Sequence, residues 1–135
     1  MSELIPWIQL AGLIHLTVLA ANFALPKRLA VRENVARLSP ILRQVFYVHW
    51  MYILIVLLLF AALCLIFPGE LAGASPLGTL LSAFMAAFWG LRVVLQLAVY
   101  DSSFRRANRL LDAAYLLALI YFTAVFALAV WGGIR

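Results

Sequence analysis

Four long apolar runs, at about residues 4–25, 41–67, 77–100 and 110–131, constrain this chain more than any motif in it. Each is long enough to cross a hydrocarbon core about 30 Å thick at about 1.5 Å per helical residue. Backbone in lipid finds no water to bond, so each run must satisfy itself as a helix. The composition agrees: 67% of residues are apolar and only 11% are charged, with a mean hydropathy of +1.09. Soluble domains run at about half apolar and about a quarter charged. The expected fold is an all-α integral membrane protein, with four transmembrane helices in an up-down bundle that takes up residues 1–135 as a single domain.

The connections set the orientation. KRLAVRENVARLSPILR, residues 27–43, holds five of the ten basic residues, and DSSFRRANR, residues 101–109, holds three. PGELAGASPLG, residues 68–78, holds none. The excess of Lys and Arg puts loops 26–43 and 101–109 in the cytoplasm and both termini outside, as expected of a multi-pass protein of a bacterial inner membrane. The net charge of +5 is then a topology signal, and no nucleic-acid partner is implied. Leu29, Val31, Val35, Leu38 and Ile41 are spaced for a short interfacial helix between spans one and two. Ser39-Pro40 and Ser75-Pro76 read as helix starts, and Pro26 as the place where the first helix stops or kinks. That first run is too long for a signal-peptide core, lacks a basic front and is expected to remain. Cys64 is the lone cysteine, so the chain can build no disulfide or thiol relay of its own.

Polar residues gather toward the basic end of the spans. Arg92, Gln96 and Tyr100 recur every four residues and share one helical face. His15 and Asn22 share a face of the first run. His49 and Trp50 lie in the aromatic stretch FYVHWMY, and Asp112 and Tyr115 open the fourth run. Counted from that end, Gln96 and Tyr115 lie roughly 6–8 Å deep, His49 about 9 Å, Arg92 roughly 12–13 Å and His15 about 15 Å. Intramembrane ionisable groups face a bundle interior and mark sites. The candidate reacting groups are therefore His15, His49 and Arg92. Asn22, Trp50, Trp89, Gln96, Tyr100, Asp112 and Tyr115 are the candidate ligand contacts. Structural roles compete for the same residues: Arg92 paired with Asp112 or reaching Asp101, His15 bonded to a neighbouring helix, His49 in an aromatic belt, Gln96 bridging helices.

Several chemistries are excluded. There is no HExxH or ExxH, only two histidines, and no GxSxG serine. A four-carboxylate di-iron centre fails because Asp112 is the only carboxylate within the spans. A haem held by His15 and His49, or by one of them, remains, as does a quinone-like ligand or an anionic lipid headgroup clamped by Arg92. The segment HLTVLAANFALPKRL, residues 15–29, resembles the opening of the small four-helix, haem-carrying protoporphyrinogen oxidases, which also place a histidine in the first helix and a Pro-Arg step at its end. The resemblance implies a haem. It covers about a ninth of the chain, and residues 77–100 lack that family's later histidine–lysine helix.

The expected function is a membrane oxidoreductase or electron-transfer component that binds a haem or quinone-like ligand in the cytoplasmic half. The alternatives are a non-catalytic accessory subunit and a small dimeric transporter. Gly12, Ala11, Ala20 and Ala21 on the first run, and Ala83, Ala86, Ala87 and Gly90 on the third, would allow a subunit's close helix contacts. The transporter lacks the central Pro or Gly break of a broken helix. Expected partners are lipids and either further copies of the chain or a larger membrane complex.

Overall fold

The computed structural model describes residues 2–100 and 102–135, and all of their side chains except those of Arg28 and Phe104. The apolar runs become four long helices: α1 (Ile5–Arg28), α3 (Pro40–Ile66), α4 (Pro76–Ala98) and α6 (Arg109–Ile134). Two short helices, α2 (Val31–Ala36) and α5 (Ser102–Ala107), lie in the basic connections, and no strand occurs among the described residues. All four long helices are long and apolar enough to cross a membrane. The protein is a multi-pass, all-α membrane bundle.

Local chemistry accounts for the helix ends. Pro6, Pro40 and Pro76 sit in first turns, where a missing N–H is tolerated. The Ser75 hydroxyl accepts from the Gly78 amide at 3.1 Å and donates to the Glu70 carboxylate, so it caps α4 and ties down the preceding turn. Ser39 occupies the same position before α3 but makes no side-chain cap. Pro26 does not stop α1, which continues to Arg28. It lies in the last turn, so its cost is the one bond that the Asn22 carbonyl would have received.

The chain then turns through Ala30, at φ 47° and ψ 41°. A left-handed conformation costs an L-residue about 1–2 kcal/mol, which glycine escapes. Ala30→Gly is therefore expected to raise stability by about 1 kcal/mol, read as a higher thermal midpoint in detergent. An unchanged midpoint would mean that this turn is not held left-handed.

Two antiparallel pairs build the bundle, α1 with α3 and α4 with α6, and α1 also lies along α6. Lipid supplies no hydrophobic drive between helices, so close fit must hold them together. Gly12 brings α1 against Leu65 and Cys64 of α3, and Gly133 brings α6 against Thr79 and Gly73. The packed face of α1 is Ile8, Ala11, His15 and Val18, while Ala20 and Ala21 point outward. Tyr121 of α6 donates its hydroxyl to the Trp7 carbonyl at 2.8 Å.

The core is one-sided. Buried side chains end at Val18 on α1, begin at Leu57 on α3 and begin at Leu119 on α6. On α4 they end at Trp89, with Gln96 as the one exception. Closed packing thus fills the half nearest the wide turn at Glu70–Ala74. Toward the basic connections few side chains of the long helices are buried, and the polar residues lie in that sparsely packed half.

Candidate functional site

At the inner limit of the core sits His15, fully enclosed. Its ring stacks on Phe122 at 4.0 Å between centroids, with Trp89 at 5.3 Å, Phe60 at 5.8 Å and Phe126 at 6.4 Å. Nδ1 donates to the Ala11 carbonyl at 2.7 Å. A carbonyl only accepts, so the hydrogen is on Nδ1, and Nε2 keeps a lone pair. That nitrogen has no partner, and neither has the buried indole N–H of Trp89. An unpaired acceptor and an unpaired donor thus share one aromatic cluster.

His15 therefore belongs to the closed half, at its border with the sparsely packed one. Its Nε2 is covered by rings, so no open face is presented to a porphyrin in this conformation. His49 is not among the rings around it. It is exposed on α3, with Nδ1 bonded to the Val45 carbonyl of its own helix at 2.8 Å. The structure does not join the two histidines into one ligand set, and no group of three or more His, Cys, Asp or Glu converges among the described residues.

Replacing His15 with phenylalanine removes the unpaired nitrogen but keeps a ring in the cluster. It should cost less than about 2 kcal/mol, whereas Phe122→Ala opens a void and should cost about 3–5 kcal/mol. Thermal unfolding followed by circular dichroism in detergent compares them. Equal losses would show that the folded bundle depends on a bond to Nε2.

A second group lies at the elbow of α1, α2 and α3. Asn22 and Trp50 meet there with Leu25, Pro26, Leu29, Val31 and Phe46 around an apolar niche of about 150 Å³. The Asn22 amide is turned back on its own helix, donating to the Val18 carbonyl at 2.8 Å.

The third group lies where α4 meets α5 and α6. Arg92 donates to Gln96 Oε1 and to the Tyr100 hydroxyl, each at 3.2 Å. Its guanidinium lies 4.6 Å from the Tyr100 ring centre and 5.4 Å from that of Tyr115. Gln96 Nε2 donates to Asp112 Oδ1 at 2.7 Å. Asp112 in turn takes Arg105 Nε on both oxygens, at 3.2 and 3.1 Å. Arg105–Asp112 is the one ion pair among the described residues, so Asp112 reaches Arg92 only through Gln96. Asp101, the other candidate partner, lies outside the described residues.

Arg92 is thus a cation inside a span, held by neutral oxygens and aromatic faces, with no carboxylate against it among the described residues. Cation–π contact offsets part of its desolvation, but an anionic or strongly polarised oxygen would offset far more. No protein-family model, curated protein or solved structure matches this chain. Its functional reading rests on this geometry.

Three of the sequence candidates, His15, Trp89 and His49, stand apart from the Arg92 network, and Asn22 with Trp50 forms a separate niche. Sequence reasoning missed Arg105 as the partner of Asp112. Seven residues separate them, two turns on one helical face, but the break at Asn108 between α5 and α6 hides that spacing.

Proposed function

We propose that this protein binds an amphipathic ligand by its head, in the sparsely packed half at the basic end of the bundle. Arg92 is the principal contact, and the ligand's tail lies between the two helix pairs. The observation that carries this reading is the intramembrane Arg92 with no carboxylate partner among the described residues. Gln96 and Tyr100 orient its guanidinium, and the tyrosine rings shield it. Asp112 is neutralised by Arg105 and leaves the Arg92 charge available. A quinone-like carbonyl and a lipid phosphate both present the oxygen that Arg92 lacks. With a quinone, Arg92 would stabilise the negative charge gained on reduction, which is the form a redox role would take. The positive-inside rule puts this end in the cytoplasm.

The test begins with the absorption spectrum of the protein purified in mild detergent. Organic extraction and mass spectrometry of whatever it retains follow. The expected result is a retained amphiphile at near one per chain and no Soret band. A Soret band that shifts on reduction would replace this reading with haem. Absence of any amphiphile would leave an accessory subunit of a larger membrane complex, which the exposed His49 on α3 favours.

A further inference from the structure

The break at Asn108 does more than end α5. It folds α5 against the start of α6 so that Ser102, Arg105, Arg106, Arg109 and Asp112 line one open pocket of about 290 Å³. Three guanidiniums therefore meet one carboxylate, a net charge of +2. The carboxylate is already engaged, since Asp112 accepts from Arg105 Nε on both oxygens and from the Gln96 amide. Arg106 and Arg109 are exposed and have no ion-pair partner among the described residues. Converging arginines in excess of carboxylates suit phosphate, whose oxygens match the guanidinium fork.

The charge distinguishes between phosphates. A phosphodiester carries one negative charge, whereas a phosphomonoester carries about −1.5 to −2 at pH 7. A lining of +2 complements the monoester. The surroundings indicate what carries it. Leu110, 88% exposed, directly follows Arg109, and Val99, 69% exposed, closes α4 at the same end. Apolar side chains this bare beside an arginine pocket belong against hydrocarbon, which places the pocket where a lipid headgroup meets its chains.

We infer that the Arg105–Arg106–Arg109 pocket is the seat of a phosphomonoester headgroup, and that the amphiphile of this protein is a lipid ending in such a phosphate. The inference rests on the ligand reading above, because the phosphate needs a tail that lies along the sparsely packed half of the bundle. Arg92 then meets oxygens deeper in the same lipid. It lies eight residues, about 12 Å at helical rise, inward of Tyr100, which follows the end of α4, and the relay Gln96–Asp112–Arg105 connects it to the phosphate seat.

The full-length protein in detergent, titrated with phosphatidic acid and with phosphatidylglycerol of identical chains and followed by native mass spectrometry, tests this. Phosphatidic acid is expected to bind about ten-fold more tightly at pH 7.5 or so. The preference should shrink as pH falls through about 6, where the monoester gains a proton and drops toward a single charge. The double variant Arg106→Gln/Arg109→Gln should lose the preference while still binding both lipids and keeping its helical circular dichroism, since neither side chain has an ion-pair partner among the described residues.

Equal affinity for the two lipids in the wild type would overturn the inference. So would a preference that survives in the double variant. Millimolar inorganic phosphate that displaces phosphatidic acid completely would show a site for free phosphate rather than a lipid, which also overturns it. Arg92→Ala separates the two levels. If it sheds the retained amphiphile while the wild type treats both lipids alike, the headgroup assignment fails and the proposed function stands. If phosphatidic acid is preferred but Arg92→Ala retains its amphiphile, the proposed function fails at its principal contact.

Discussion

Gly78→Ala is expected to cost more than about 3 kcal/mol and to open the end of the bundle opposite the Arg92 site. Gly78 lies in the first turn of α4, and a methyl group there would overlap the Glu70 carbonyl oxygen and carbon. That obstacle is backbone and cannot rotate aside. The turn it belongs to is held from several directions: Ser82 donates to the Leu71 carbonyl at 2.7 Å, Ser75 bonds Glu70, and Gly73 takes a φ of 98° that favours glycine. To admit the methyl, the turn must move and withdraw Leu71 and Ala72 from the core, where both are buried.

Two other glycines calibrate the effect. At Gly69 a methyl meets nothing within 4 Å, so alanine there should be nearly neutral. At Gly90, mid-helix in α4, it meets only the Thr123 methyl at 3.5 Å, so alanine should stabilise by about 0.5–1 kcal/mol through helix propensity. Thermal unfolding of the three variants in one detergent gives the ranking. Gly78→Ala as stable as Gly69→Ala would mean that the Glu70–Ala74 turn yields at little cost and is no anchor of the fold.

Arg92→Ala should have the opposite signature, with binding lost and stability kept. A charge-assisted contact is worth about 1.5–3 kcal/mol, so removing the guanidinium should weaken retention of the amphiphile by about 10- to 100-fold. The empty bundle should not suffer. Among the described residues its intramembrane cation is partnered by neutral groups, and deleting it removes a desolvation cost while leaving Gln96 bonded to Asp112. The midpoint without ligand should stay level or rise. Arg92→Lys should recover part of the affinity, because it keeps the charge but loses the planar fork. Lipid or quinone content per chain, measured beside the unfolding midpoint, decides the matter. A large fall in midpoint with no change in bound amphiphile would make Arg92 a structural residue.

The two variants mark the division of labour between the ends of the bundle. One end is tightly packed and intolerant of a methyl. The other is polar and has few buried side chains, and it is the end at which the proposed ligand would enter from lipid. His15 lies at the border. Its burial among Phe60, Trp89, Phe122 and Phe126 makes it part of the closed end, although its depth along α1 had grouped it with Arg92.

Legible in the amino-acid sequence were the four helices, the starts of α3 and α4 at their Ser-Pro steps and the gathering of polar residues toward the basic connections. These features depend on local quantities: length of apolar run, position of proline, and residues counted along one axis. The four-residue step from Arg92 to Gln96 is likewise a property of a single helix, whereas Tyr100 follows the end of α4 at Ala98 and meets Arg92 from the turn beyond it. The tertiary structure alone decided which helix faces which. It sealed His15 in rings, turned His49 outward, set Asn22 and Trp50 in their own niche, and gave Asp112 to Arg105 rather than to Arg92. Depth along a helix can be counted from the sequence, but the rotation of each helix about its axis is set by side chains fitting across an interface. No spacing within one helix encodes that fit.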